Sequence, residues 1–236
     1  MTMNITFSIP GLALVTGFSR RVASKVISMP VPFTWRWLEE KENPFLRNYR
    51  TERIISRLGL KPGMRVLDAG CCGGRLTIPV ARMVGPAGHV TALDVQEESI
   101  ISTRMKAESH NISNIRYLNA ASGICCISEN EFDRVLLVSV LGELTDREEA
   151  MGIMYRSLKP GGMLSVTEII TDPHYLSHTT VARLATMAGF QEKAVYGNRM
   201  TYTFNFVKPD NSRNTRKMTL FRRYSRPGPG FGLTFN

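Results

Sequence analysis

No stretch of the 236 residues offers the ~20 uninterrupted apolar positions of a membrane-spanning helix. The apolar run Ile5 to Phe18 is broken by Pro10 and is followed, not preceded, by Arg20 and Arg21. That charge order is the reverse of a secretory signal, so the run is expected to be a surface or interfacial segment. Cysteine is also scarce. The four occur as adjacent pairs, Cys71/Cys72 and Cys125/Cys126, which fits neither a disulfide framework nor a zinc module. A cytoplasmic, reducing setting is the simpler reading. Thiolates bind soft ions, but adjacent cysteines cannot easily face one ligand, and small buried side chains are the simpler account. His89 and His110 have no partners at ligand spacing, so no metal is expected.

What the chain does have is a basic excess, and it is unevenly placed. Of the net charge of +10, residues 1–60 contribute +5, residues 61–207 contribute −1 and residues 208–236 contribute +6. Basic ends on a near-neutral centre suit an anionic surface, either a membrane or a nucleic acid; solvated ends are the alternative. A hydrophobic content of 43% is enough for a globular core.

Residues 1–60 read as helical pieces broken at Pro30 and Pro32, the last running from Phe45 to Leu58. After the turn Leu60 to Gly63, strand and helix patterns alternate, which predicts βαβ units and a mainly parallel sheet. The strand candidates are Arg65–Ala69, Val90–Val95, Ile115–Asn119, Arg134–Val138, Met163–Ile169, Ala194–Tyr196 and Tyr202–Val207. Helices are expected at Arg75–Val84, Glu97–Glu108, Arg147–Leu158 and Thr179–Met187, with a turn at Lys159-Pro160-Gly161-Gly162. The connection at Gly197 and Asn198 is too short for a crossover helix, so the last two strands must pair as a hairpin. The division expected is a helical segment at 1–60, an α/β domain at 61–209 and a mobile basic tail at 210–236.

The loop after the first strand, Asp68-Ala69-Gly70-Cys71-Cys72-Gly73-Gly74-Arg75, lies where a helix N-terminus meets the carboxyl edge of the sheet. A phosphate-cradling loop needs Lys and a hydroxyl after its last glycine, and Arg75 and Leu76 stand there. A dinucleotide loop started at Gly70 needs glycines at Cys72 and Arg75. What remains is Asp68, Gly70 and Gly74, with Asp94 twenty residues further on at the end of the second strand. A carboxylate at the first strand end suits a cationic ligand, and a second one suits two ribose hydroxyls. S-adenosylmethionine has an ammonium, a sulfonium and a ribose, and no phosphate.

At this point VLDAGCCGGRLTIPVA (66–81), VTALDV (90–95), FDRVLLVSVLGEL (132–144) and LKPGGMLSVTE (158–168) resemble the motifs of the class I S-adenosylmethionine-dependent methyltransferases. The resemblance covers residues 45–208 and is nearest the small-molecule group that includes quinone-biosynthesis enzymes. It implies an α/β, doubly wound, Rossmann-like seven-stranded sheet with an antiparallel last hairpin, preceded by N-terminal helices covering the acceptor pocket. The cofactor-binding set it implies is Asp68, Ala69, Gly70, Cys71, Cys72 and Gly74 at the methionine end, Asp94 and Val95 at the ribose, Ala121 at the adenine and Val138 from strand four. Two positions depart from the pattern. Cys72 stands where glycine is usual and narrows the methionine pocket, and Ala120-Ala121-Ser122 replaces Gly-Asp-Ala, removing an acid near the adenine amino group. A lost charge-assisted hydrogen bond costs on the order of 1.5 to 3 kcal/mol, or about tenfold to hundredfold in affinity.

Methyl transfer from a sulfonium is an in-line displacement that needs a base only when the acceptor must lose a proton. Glu143, Glu168, His174 and Tyr175 follow strands four and five and are the catalytic candidates, with exposed loop residues or helix caps as the alternative. Phe18, Trp35, Trp37 and Phe45 near Arg20, Arg21, Lys25 and Arg36 form an interfacial pattern that suits an apolar acceptor and an anionic membrane surface. The tail, with Arg213, Arg216, Lys217, Arg222, Arg223 and Arg226 beside Phe221 and Tyr224, could equally follow RNA. Ser139-Val140-Leu141-Gly142 stands where enzymes that methylate adenine or amide nitrogen place Asn/Asp-Pro-Pro-Tyr/Phe, which turns the reading toward a small molecule. The expectation is a methyltransferase for a small, apolar acceptor. The alternatives are a non-catalytic protein retaining the fold and an RNA-modifying enzyme.

Overall fold

Val66-Leu67, Val135-Leu136-Leu137 and Val90 with Ala92 and Leu93 are apolar at successive or near-successive positions, the mark of strands covered on both faces. All of these side chains are buried. A computed structural model of the chain describes residues 47–120 and 127–210. The helical pieces expected before residue 47, Ala121, Cys125, Cys126 and the basic tail from 211 lie outside the described residues.

A short 3₁₀ turn, Arg47–Tyr49, leads into α1, Thr51–Ser56. Then follow β1 (Arg65–Ala69), α2 (Thr77–Val84), β2 (His89–Asp94), α3 (Glu97–Ser109), β3 (Ile115–Asn119), β4 (Phe132–Val138), α4 (Arg147–Ser157), β5 (Leu158–Ile169), α5 (His178–Met187), β6 (Gln191–Gly197) and β7 (Thr201–Val207). The strands form one sheet in the order β3-β2-β1-β4-β5-β7-β6. All neighbours are parallel except β7, which runs antiparallel to β5 and to β6. The expected parallel sheet with a closing hairpin is therefore the one observed. The chain reverses its direction of winding between β1 and β4, the place where open α/β sheets bind ligands.

Each face has its own core. Ile54, Leu58, Val80, Val84 and Ile100, from α1 to α3 and the turn after α1, cover one face. Met151, Met154, Val181 and Leu184 from α4 and α5 cover the other, with Phe204 stacked on Phe206. Two helix starts on the second face are capped by side chains: Asp146 Oδ1 accepts from Glu149 N–H at 2.8 Å before α4, and Ser177 Oγ accepts from Thr180 N–H at 3.2 Å before α5.

Several boundaries differ from the sequence reading: α2 starts later, at Thr77, while β4 starts earlier, at Phe132, and β6 is longer, Gln191–Gly197, and three further differences bear on the loops. The helix expected from Phe45 is, within the described residues, a 3₁₀ turn and then the six residues of α1. The strand expected to reach Val95 ends at Asp94, because that side chain turns back to accept from Gln96 N–H at 3.0 Å. The turn expected at Lys159 to Gly162 is instead the start of β5, which pairs Leu158 with Phe132 across an irregular register. Lys208 holds it there: Gly161 N–H donates to Lys208 O and Lys208 N–H to Gly162 O, both at 2.9 Å. The Lys208 ammonium also donates to Leu158 O at 2.6 Å, beyond the end of α4.

Candidate functional site

The loop between β1 and α2 is built for close backbone approach. Gly70 has φ +88, and a Cβ there would lie 2.2 Å from Val140 Cγ2, so no side chain fits. Gly70 N–H and Cys71 N–H both donate to Leu93 O, at 2.7 and 3.0 Å, tying the loop to β2. Cys72 has φ +49, the left-handed region that a glycine would occupy without strain. Its N–H donates to Asp94 Oδ2 at 3.0 Å and its carbonyl accepts from Thr103 Oγ at 2.9 Å. Gly74, at φ +83, leaves only 3.1 Å between a would-be Cβ and the Thr103 methyl. The loop is thus held by α3 as well as by β2.

Two carboxylates sit beneath and beside this loop. Asp68 is buried and accepts from the Thr77 hydroxyl at 2.6 Å. Burial pushes its pKa up to about 6, against the pull of the Thr77 hydrogen bond and the nearby Arg75. Asp94, also buried, accepts from Cys72 N–H through Oδ2 and from Gln96 N–H through Oδ1. A carboxylate has about four acceptor sites, so a group that anchors this loop can also accept from ligand hydroxyls. Cys71 is buried, with its thiol pKa raised by desolvation and by Asp68 and Asp94, which makes it an inert apolar side chain.

A cleft of about 320 Å³ opens over this edge. Ala69, Gly70, Asp94 and Val95, all among the candidates named from the sequence, line it, and Leu93 and Ala120 complete that wall. The facing wall is Leu137, Val140, Glu143, Leu144, Thr145, Ala150 and Met154, from β4, the loop after it and α4. Of these the sequence reading had only Glu143. A mainly apolar slot with two acids, Asp94 on one wall and Glu143 on the other, suits a purine nucleoside, and the lining contains no Lys or Arg for a phosphate. Asp68, Cys72 and Gly74 shape the loop from outside the lining. Val138 is half-buried beside Ser139, which has φ +55 directly after β4.

A family model described as a methyltransferase domain matches residues 60–211, well over half of the chain and all of this site. The chain belongs to this methyltransferase-domain family. Among curated relatives, the ubiquinone/menaquinone biosynthesis C-methyltransferase UbiE of Shewanella halifaxensis is 34% identical over 121 residues, 51% of this chain and 48% of that protein. The enzyme of the same name from Psychromonas ingrahamii is 35% identical over 165 residues, 67% of this chain and 60% of its own. The chain spans about half the length of the curated relatives it matches. Among solved structures, an S-adenosylmethionine-dependent methyltransferase from Aquifex aeolicus superposes with a TM-score of 0.62 at 21% identity, covering 79% of this chain and 97% of that one. A phosphoethanolamine N-methyltransferase of Haemonchus contortus, in complex with S-adenosylhomocysteine, superposes at 0.56 with 16% identity, covering 67% and 52%. At such identities these two establish the fold of the methyltransferase domain.

Within the methyltransferase domain the four catalytic candidates separate. Glu143 lines the cleft. Glu168, one residue before the end of β5, is 1% exposed: Oε2 accepts from Leu176 N–H at 3.2 Å, and Oε1 is buried without a hydrogen-bond partner. Desolvation first, then Asp172 and Glu143, raise its pKa well above the carboxylate range, while Leu176 N–H and Arg147 oppose the shift. A group so enclosed cannot reach an acceptor in this conformation. His174 is buried on the loop after β5, where its N–H donates to Asp172 Oδ1 at 2.7 Å and its carbonyl packs against Gly142. Tyr175 donates its hydroxyl to Arg199 O at 2.6 Å. The sequence reading missed Tyr49. Its hydroxyl donates to Ser139 Oγ at 3.2 Å, while the Arg75 guanidinium lies 4.6 Å from its ring centre and donates to its carbonyl at 3.1 Å. No group of three His, Cys, Asp or Glu suited to a metal ion occurs among the described residues.

Proposed function

We propose that this protein transfers a methyl group from S-adenosylmethionine to a small, apolar, quinone-type acceptor. The observation that carries the reading is Asp94: a buried carboxylate held by two backbone N–H groups, beside a glycine turn too tight for any side chain, in a mainly apolar cleft. The donor set fits the cofactor. Asp94 would accept both ribose hydroxyls, Val140, Leu144 and Met154 would enclose the adenine, and the loop Asp68 to Gly74 would receive the methionine end. When bound, the cofactor supplies a methyl group already activated by the sulfonium. The chain then has to position the acceptor and exclude water.

The acceptor class rests on the curated relatives, which are named for ubiquinone and menaquinone biosynthesis. A ring carbon that gains a methyl group must lose its proton, and we assign that task to the edge bearing Glu143, His174 and Tyr175. Glu168 serves the fold. Residues 1–60 would cover the acceptor side, a role supported by the grip of Tyr49 on Ser139 and Arg75. Residues 61–209 would be the catalytic unit and 210–236 a basic tail. No described helix is long and apolar enough to cross a membrane, and an acceptor dissolved in a bilayer would be met from its surface. Cys72 adopts the backbone angle that glycine would supply, so the loop keeps its path and the non-catalytic alternative gains no support from that position.

Calorimetric titration with S-adenosylhomocysteine tests the reading directly. Saturable binding that is lost in Asp94→Ala is expected. No heat at millimolar ligand, with Asp94→Ala indistinguishable from the parent, would sink it.

A further inference from the structure

The outer edge of the sheet differs from the rest of the molecule. Along β6 only Ala194 is half-buried; every other side chain is exposed, on both faces of the strand. Three of the exposed residues are large and apolar: Val195 at 47%, Tyr196 at 39% and, in the turn to β7, Met200 at 56%. Exposed apolar residues scattered singly are ordinary, but these three lie near one hairpin tip, Val195 and Tyr196 on opposite faces of the strand.

Charge surrounds them with one dominant sign. Lys193 and Arg199 are exposed on the hairpin itself. Arg57 lies over the Tyr196 ring at 5.1 Å from its centre and donates to Thr203 Oγ at 2.8 Å, which fixes α1 beside the hairpin. Arg50 and Arg53, both exposed, precede it on the same segment. Against these five cations stand two exposed acids, Glu52 and Glu192.

Topology decides what the patch can do. Gly197 pairs with Tyr202 and Thr201 with Ile169, so the tip of the hairpin lies at the carboxyl end of β5. That is the edge on which the cleft beside Ala69, Gly70 and Asp94 opens. Three strand spacings of about 4.8 Å separate β4 from β6, which puts the tip roughly 15 Å to the side of the switch point.

We propose that the tip of the β6–β7 hairpin, with the adjoining basic face of α1, docks on a bilayer surface carrying anionic lipid. Val195 and Met200 enter the headgroup region while Lys193, Arg199, Arg50 and Arg53 pair with lipid phosphates, and Arg57 stays over Tyr196 to brace the hairpin. The carboxyl edge then faces the membrane, and an apolar acceptor reaches the cleft without crossing water. The docking stands without the methyltransferase reading; only the delivery of acceptor rests on it.

The test uses the full chain and vesicles of phosphatidylcholine with or without phosphatidylglycerol, at about 0.1 M salt, where charges are screened beyond about 10 Å. The variants are Lys193→Glu/Arg199→Glu and Val195→Ser/Met200→Ser, none of which touches the cleft. Co-sedimentation with the anionic vesicles is expected for the parent. It should fall roughly tenfold or more in the charge-reversed pair and severalfold in the apolar pair, with S-adenosylhomocysteine binding unchanged in both. Variants that sediment like the parent overturn the proposal, as does a parent that ignores vesicles. A parent that dimerises through this edge, or that binds single-stranded RNA through it in place of vesicles, overturns it as well. Vesicle binding in a chain that takes up no S-adenosylhomocysteine would refute the cofactor site and leave the docking surface standing.

Discussion

Asp94→Asn is the substitution that asks most of the site, because it changes almost no volume. The two backbone N–H groups that meet this side chain, from Cys72 and Gln96, each lie 3.0 Å from a different carboxylate oxygen. An amide has one oxygen, so one of these donors must face an NH₂ group, and the remaining hydrogen bond loses its charge assistance. A ligand ribose loses one acceptor as well. Each charge-assisted hydrogen bond is worth about 1.5 to 3 kcal/mol, so the bond lost to the ligand weakens binding by that much and the bond lost to the loop lowers stability by a similar amount. The first converts to about tenfold to hundredfold in the dissociation constant for S-adenosylhomocysteine. Calorimetry on parent and variant measures it, and thermal unfolding measures the loop contact separately. That contact should lower the melting temperature by about 3 to 12 °C, from about 2 to 4 °C per kcal/mol in a domain of this size. A dissociation constant within about threefold of the parent would refute the assignment of Asp94 to the ribose. Unchanged melting would refute its role as the loop anchor.

Three further outcomes follow from the same geometry. Gly70→Ala places a Cβ 2.2 Å from Val140 Cγ2 at φ +88, and should cost roughly 2 to 5 kcal/mol of stability together with cofactor binding; a variant that melts like the parent refutes the tight turn. Cys72→Gly relieves left-handed strain of about 1 to 2 kcal/mol and adds about 0.5 to 1 kcal/mol of unfolded-state entropy, so chemical denaturation should show a gain between zero and about 1.5 kcal/mol. A clear loss would mean that the thiol makes contacts that outweigh the strain. Glu168 has its folded-state pKa raised above the ordinary 4.5, so the folded protein holds a proton that the unfolded chain releases first. Its contribution is fully present below about pH 4.5 and is lost as pH rises toward the folded value, and Asp68, raised to about 6, acts in the same direction. Glu168→Gln should therefore melt close to the parent at acid pH and increasingly above it as pH rises; a pH-independent difference refutes the buried acid.

Much of this architecture was legible in the sequence because parallel strands buried on both faces leave uninterrupted apolar runs. β1 falls on its expected residues for that reason, and β3, a half-exposed edge strand, does so through its alternating Ile115, Tyr117 and Asn119 face. The ends of β2 and β5 did not, since Asp94 bending onto Gln96 and Lys208 bracing Gly161 and Gly162 are side-chain and long-range effects that periodicity does not encode. At the site, the interval from Asp68 through Gly74 to Asp94 was enough to separate a nucleoside site from a phosphate loop. The opposite wall of the cleft was not legible. Val140, Leu144, Ala150 and Met154 are apolar residues whose pattern is that of core, and only folding brings them across from Ala69 and Val95. Glu168 shows the converse: an acid at a strand end reads as reachable, and it is the return of the next loop, through Leu176, that encloses it.

Tyr49 touches two places at once, the left-handed residue that follows β4 and the arginine that ends the glycine loop. It is also the last described residue but one before α1, on the path into the first forty-six residues. Whatever shifts Arg75 at the end of the glycine loop therefore also pulls on Tyr49 and, through its hydroxyl, on the turn after β4, so a change in the loop is felt at the start of α1 and beyond β4 together.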